Sequence, residues 1–460
     1  LRRQRQMCIR DRCLCMKHYT LSLCAVLSAA AVAIASCSAP TEEEKDSLHS
    51  HDHAHSEEDH AHEHDHEHEH GHDHAGHSHE GFEAEEGETE VAQLPTRIVI
   101  SHAEGLRAYD AKTGKVIGED RMNAFLRLSD AGDNRHVMVT KGDSFLTYDT
   151  GRITKGHGDH NHYYTAEPSL GDAPIKAPHA GHVVHHDGFT ALFSDGDGVA
   201  KIYKTEDMGK DDAQPVNTVD TGAAHHGVAV PLKDGSVVIT KGTEDERHTI
   251  QHLDKEGKVL TETTKCPGVH GEAAAGNGNI FFGCEDGPVV FDGTKFHKVD
   301  ASAYAGAGGY QRSGNAAGSE ESDVILADNK TDKDAELERP TSVTLVDTKD
   351  FSTKKVDLDA SYWFRSLARG PLGEALVLTT DGKLNIIDPD SGEITSQIDA
   401  ISRWKENKEW QQPGPILQAA DGYAFITDAQ KKQLVVIDLL QEKEVNRFDL
   451  DIEPTEMTVL

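Results

Sequence analysis

From residue 95 to the C-terminus, short apolar runs alternate with polar turns, and no stretch carries a capped apolar period of 3.6 residues. One unit recurs: an apolar strand ending in small or polar residues. Val137-Met138-Val139-Thr140-Lys141-Gly142, Val237-Val238-Ile239-Thr240-Lys241-Gly242, Ala375-Leu376-Val377-Leu378-Thr379-Thr380 and Tyr423-Ala424-Phe425-Ile426-Thr427-Asp428 are clear copies. A second unit follows, in which a strand meets Asp, a turn and another strand, as in Ile387-Asp388-Pro389-Asp390-Ser391-Gly392-Glu393-Ile394. Its Asp and Gly suit a tight hairpin.

The apolar strands begin near residues 97, 136, 189, 236, 279, 323, 375 and 423. That spacing, about 40 to 50 residues, is the period of a four-stranded propeller blade. The pattern therefore predicts an all-β chain folded as a β-propeller of eight blades, or seven if the Gly-rich, poorly patterned region 301–341 makes none. The first blade has no strand before Arg97 to serve as its inner strand. Glu453-Pro454-Thr455-Glu456-Met457-Thr458-Val459-Leu460 is the candidate, and a C-terminal strand placed there closes the ring and removes open sheet edges.

Upstream of the propeller the pattern changes twice. Residues 1–37 read as an upstream extension plus an export signal: Met16-Lys17-His18 is a plausible start, and an apolar, Ala-rich run follows from Leu21 to Ile34. The run ends in Ile34-Ala35-Ser36-Cys37, which resembles a bacterial lipobox and makes Cys37 the candidate lipidated residue; a plain secretory signal is the alternative. Residues 38–94 have almost no large apolar side chain, so they are expected to be a disordered arm before the propeller at 95–460.

The formal net charge of -34 argues against nucleic acid and anionic membrane surfaces, both of which require Lys and Arg, and favours cations. The arm holds much of it: residues 38–92 carry nineteen Asp and Glu against one Lys, Lys45. Fourteen histidines lie between His49 and His79, alternating through His60, His62, His64, His66, His68, His70, His72 and His74. A solubilising tail accounts for the carboxylates but not the imidazoles, which suit Zn, Cu and Ni. Such an arm is expected to bind several ions loosely, because it enforces no geometry.

Three histidines in the folded part each precede a small residue at similar places in neighbouring blades: His179-Ala180, His226-Gly227 and His270-Gly271, eight or nine residues before Gly188, Gly235 and Gly278. Equivalent positions of successive blades face one channel, so His179, His226 and His270 are expected to share an ion, with His182, His225 and Glu272 near enough to be ligands or their partners. Alone, each would read as a hydrogen-bonded residue at a channel mouth. Affinity should fall as protons compete near about pH 6.5. His157, His160 and His162 lie on what reads as a flexible loop, which either completes the channel site, forms its own, or is an ordinary polar loop. After Cys37 only Cys266 and Cys284 remain, a pair that suits a disulfide in an oxidising compartment better than a zinc thiolate site.

The signal, the His-rich leader, the segment His157-Gly158-Asp159-His160-Asn161-His162-Tyr163-Tyr164, and Cys266-Pro267-Gly268-Val269-His270-Gly271-Glu272 with Phe282-Gly283-Cys284 together resemble the AztD-type zinc metallochaperones. The resemblance is strongest from about 155 to 290. It implies an extracytoplasmic β-propeller that binds zinc and passes it to the solute-binding protein of a zinc ABC importer. It implies a ligand pool of His157, His160, His162, His179, His226 and His270 without saying which share an ion. A lipid anchor at Cys37 departs from the family and would tether this chain to the membrane. The residues themselves leave two other functions open. One is a propeller-type zinc-dependent hydrolase or lyase, although no carboxylate pair or Ser-His-Asp set stands near the histidines. The other is a surface metal buffer without a transfer partner.

Overall fold

A computed structural model of the chain describes residues 83–460. The export signal, Cys37 and the arm histidines His60, His62, His64, His66, His68, His70, His72 and His74 lie outside the described residues. What is described is all-β, with three-residue 3-10 turns as its helical elements. No helix among the described residues is long and apolar enough to cross a membrane.

Among the described residues the strands form a succession of antiparallel sheets, seven of four strands, one of five and one of three, an architecture consistent with a β-propeller. Ala180–His186, Phe189–Ser194, Val199–Lys204 and Asn217–Asp220 make one such sheet. The next follows with Ala229–Pro231, Val237–Gly242, Arg247–Leu253 and Val259–Thr263, and the next with Glu272–Ala274, Ile280–Phe282, Val289–Phe291 and Phe296–Lys298. Second strands are buried on both faces, so their centres read as apolar runs: every residue of Arg97–His102, with Ile98 to Ile100 at its centre, and of Ala375–Leu378 is buried. Fourth strands alternate, as Ile394–Asp399 does, because one face meets water.

Region 301–341 contributes two 3-10 turns and then the strands Ala316–Ser319 and Ser322–Asp328, the first pair of a further four-stranded sheet. At the chain end Glu456–Val459 pairs antiparallel with Arg97–His102, in the register Ile98↔Val459 and Ile100↔Met457. Buried apolar side chains join neighbouring sheets. Ala191, Phe193, Ile202, Val237 and Ile239 form one such core, and Val230, Val238, Ile250, Ile280, Phe282 and Phe291 the next. Ile98, Ile100 and Tyr109 of the first complete sheet share a core with Phe425, Leu434 and Val436 of the last.

Two segments depart from the sequence expectation. The His157 region is not a loop but a β-hairpin, Arg152–His157 against His160–Thr165, turned by Gly158 and Asp159. Gly158 takes φ +59°, the left-handed conformation that such a turn requires. Thr89–Val91, placed on the arm side of the boundary, is a strand that pairs with His160–Thr165 in the register Glu90↔Tyr164. Lys155 ties this small sheet to the preceding residues through Glu85 and Glu88, at 3.0 and 2.7 Å.

Candidate metal centre

Three histidines from three successive sheets converge: His182, His226 and His270, each contributing a ring nitrogen within 4.8 Å of the others. Nε2 of His226 lies 3.1 Å from Nε2 of His182 and 3.2 Å from Nε2 of His270. Tetrahedral zinc with bonds of about 2.0–2.1 Å spaces its nitrogens roughly 3.3 Å apart, so these separations already match the ion.

Local backbone features set each ring. In Ala180–His186 the pairing slips between Ala180↔Ser194 and Val183↔Leu192, and the bulge carries Gly181 and His182. Gly181 has to be small, since a Cβ there would sit 2.3 Å from Oδ1 of Asp195. That carboxylate in turn binds Nδ1 of His226 at 2.6 Å. His270 stands just ahead of Glu272–Ala274, its N–H donating to the Gly283 carbonyl at 3.0 Å. Its Nδ1 donates to the Gly314 carbonyl at 2.6 Å. The Cys266–Cys284 disulfide joins the two sides of this turn, and both sulfurs are buried.

These partners decide which nitrogens are free. A carbonyl can only accept, so His270 carries its proton on Nδ1, and the carboxylate of Asp195 asks the same of His226. In the neutral rings both Nε2 lone pairs then point at one spot. Burial holds His182 well below the usual imidazole range, with His226, His270 and Arg127 adding to the effect. Burial, then the nearness of His226, pushes His270 down to about 3. Glu272 lies behind His182, with Oε2 3.9 Å from Nδ1. Burial raises its carboxyl to about 7, and Oε2 has no hydrogen-bond partner. Nδ1 of all three rings therefore faces an oxygen, the arrangement by which metal-ligating histidines are usually oriented, though the third contact is longer than a hydrogen bond.

The other sequence candidates lie elsewhere. His179, expected to join His226 and His270, is exposed, takes φ 46° and donates its backbone N–H to Asp143. The bulge puts His182 in the place assigned to it. His225 is buried with Nδ1 2.9 Å from the Ala223 carbonyl and Nε2 3.2 Å from the Thr240 carbonyl, so neither nitrogen is turned to the cluster. On the hairpin, alternate residues His160 and His162 share a face, with Nε2 atoms 3.2 Å apart. Nδ1 of His162 is 3.1 Å from Glu90, and Nδ1 of His160 is 3.2 Å from Asp159. His157 pairs with His160 across the turn through the backbone. This pair forms a second imidazole group apart from the first three. Sequence reasoning missed Asp195 and the Gly314 carbonyl. It also passed over the one regular signal for His182: both steps, 182 to 226 and 226 to 270, span 44 residues.

The fold and the cluster define the class, an all-β chain of repeated four-stranded sheets with three converging imidazoles able to hold a metal ion. Among known proteins, the chain is similar to the zinc chaperone AztD of Citrobacter koseri, with 25% identity over 355 residues, covering 75% of this chain and 81% of that protein. A crystal structure of Citrobacter koseri AztD superposes with a TM-score of 0.68 at 23% identity, over 80% of this chain and 98% of that one. The apo form of the same protein gives a TM-score of 0.68 at 22% identity with the same coverage. At these identities the superpositions establish a shared fold. No family model matches the chain. The likeness is to a chaperone by name, not to an enzyme.

Proposed function

We propose that this chain is an extracytoplasmic zinc metallochaperone, a non-enzymatic carrier that holds Zn²⁺ on His182, His226 and His270 and passes it to the solute-binding protein of a zinc ABC importer. The observation that carries the reading is the convergence of three Nε2 atoms, two of them on rings whose Nδ1 is engaged by Asp195 or the Gly314 carbonyl. Neutral imidazole lone pairs repel one another unless a cation sits between them, and zinc accepts three such ligands and keeps a fourth position open. The similarity to a protein named as a zinc chaperone supports zinc over copper or nickel.

The scaffold in this reading is an eight-bladed propeller closed by Glu456–Val459. Its support is the pairing of that strand with Arg97–His102 and the core shared by the first and last sheets. The His160–His162 pair beside Glu90 would be a second zinc position. The arm, with its fourteen histidines, would gather zinc loosely, and Cys37 would anchor the mature chain to the membrane through lipid.

The test is transfer. Zinc-loaded protein is mixed with the zinc-free solute-binding protein in the presence of a chelator that captures free zinc, and both proteins are separated and assayed for metal. Zinc arriving on the acceptor despite the chelator supports direct handover. Zinc found only on the chelator removes the transfer step and leaves a buffer.

A further inference from the structure

The histidine cluster opens into a cavity of about 550 Å³, lined among others by Arg127, Glu272, Arg312, Phe364, Lys408 and Trp410. That is far more room than the single water needed to complete a tetrahedral ion. Among the described residues, no carboxylate, thiolate or further imidazole joins the three nitrogens within 4.8 Å. Glu272 is on the wrong side, since its Oε2 approaches Nδ1 of His182 while Nε2 of that ring faces the cluster. The fourth ligand is therefore sought outside these residues.

Charge indicates its kind. Three neutral imidazoles bring no charge to zinc, and the Asp195 carboxylate behind His226 offsets at most one of its two charges, which leaves a cation in a partly buried site that still favours a counter-ion. Arg127, Arg312 and Lys408 line the cavity into which the cluster opens and can draw an anion in beside the ion. Arg127 makes no ion pair with a carboxylate among the described residues; its guanidinium lies 5.8 Å over the ring of Trp410. Trp410 is itself 48% exposed and braced edge-on by Phe125 at 5.1 Å. A stacked guanidinium offers a planar fork of donors that matches a carboxylate.

We propose that the fourth zinc position is filled by an external carboxylate held by Arg127 against Trp410, so that the ion is bound and exchanged as a ternary complex. This rests on the reading of His182, His226 and His270 as the zinc site. The carboxylate oxygen bonds to zinc as a bound water leaves, and no proton or electron moves. A free small carboxylate and a Glu or Asp side chain on an acceptor protein present the same group. In the second case handover begins inside the cavity, before zinc meets bulk water.

The experiment measures the tightest zinc affinity of the full chain by chelator competition at fixed ionic strength. Chloride is replaced either by acetate or by a capped Gly-Glu-Gly peptide that carries no imidazole. The expected result is a saturable gain of roughly tenfold, within the usual range for coupled ligands, with zinc tightening carboxylate binding by the same factor. In R127Q the ratio of affinities with and without carboxylate should fall to about one. Because Trp363 and Trp404 are buried, Trp410 is the exposed reporter: zinc plus carboxylate should alter emission in the parent chain and not in W410F. Saturation by acetate at concentrations no higher than the peptide assigns the ligand to small molecules. A much stronger effect of the peptide assigns it to a protein-borne side chain. No gain with either, or a gain that survives R127Q, overturns the proposal. Affinity in chloride that H226A leaves unchanged would instead remove the triad reading itself.

Discussion

His226 and His270 face each other with Nε2 atoms 3.2 Å apart, and each ring uses its Nδ1 on an oxygen, Asp195 in one case and the Gly314 carbonyl in the other. Two ring nitrogens at that distance address one position, so the centre is sensitive to the loss of either ring. H182A, H226A and H270A should each remove the tightest zinc step in a chelator titration, and the losses should be non-additive because they dismantle one unit. H179A, on an exposed residue outside the cluster, should leave that step intact. Equal losses in H179A and H226A would reject the assignment. Because burial holds His182 and His270 well below the free imidazole range, proton competition at these two rings should begin well under about pH 6.5, not at it as the bare sequence suggested.

Asp195 touches His226 but not the place where an ion would sit. Its role is to fix the ring and its tautomer, and removing such a partner typically costs about 10–100-fold in metal affinity. D195A should show a loss in that range, smaller than that of H226A, with the fold retained by circular dichroism. G181A should resemble it, because a Cβ at 181 would push Asp195 off His226. Full affinity in both variants would mean that the 2.6 Å contact does not organise the site.

Much of this was legible in the chain, and the failures have physical causes. The apolar strands are readable because second strands such as Ala375–Leu378 are buried on both faces and leave an unbroken apolar run. His226 and His270 could be picked out because each precedes a glycine where the backbone is crowded. A Cβ on Gly227 would meet Phe193 at 2.4 Å. His179 matches His226 and His270 in local pattern, yet His182 is the third member, because a β-bulge shifts the register by a step that no local pattern announces. The Gly158–Asp159 turn reads as a loop because the residues next to it, from Gly156 to His162, are polar or Gly, while the buried pair Ile153 and Tyr164 lies away from the turn. Thr89–Val91 was hidden for the same reason, its three polar or half-exposed residues lying next to an acidic leader.

Cys266 and Cys284 close an 18-residue separation around the turn that carries His270. A loop of that size is worth about 3 kcal/mol in the chain-entropy account. The double variant C266S/C284S should lower stability to urea by about that much. Zinc affinity should fall less than in H270A, since the His270 to Gly283 and Gly283 to Gly271 backbone bonds remain. Unchanged urea stability would show that the bridge is dispensable to the turn.

Asp328 is buried at 3% exposure beside Tyr362 and accepts a backbone N–H from Asn315 at 3.2 Å. Burial raises its carboxyl to about 6, above the unfolded value. The folded state thus prefers the protonated acid. That contribution is complete below about pH 4 and is lost as pH rises through about 6. D328N mimics the neutral acid and keeps the acceptor oxygen. It should therefore be more stable than the parent by roughly 3 kcal/mol at pH 8, with little difference near pH 4. Thermal unfolding at the two pH values reads this directly. A destabilised variant at pH 8 would show that the charge is held by Lys330, 3.9 Å away, more firmly than burial opposes it.

The hairpin pair offers the last separation. His160 and His162 sit with Glu90 on a small sheet of their own and are not grouped with the triad. If they bind an ion between their Nε2 atoms, they do so with two imidazoles, since Glu90 contacts Nδ1 of His162 on the other side of that ring, and this is a weaker and faster-exchanging set than three partly buried rings. H160A/H162A should therefore lower the number of zinc ions bound by one while leaving the tightest affinity as it was. Zinc should also reach the triad more slowly if the pair serves as a relay. Stoichiometry by metal analysis and loading by stopped-flow mixing check the two parts separately. A fall in the tightest affinity would mean that the hairpin completes the triad's coordination in solution, and would place all five histidines in one site.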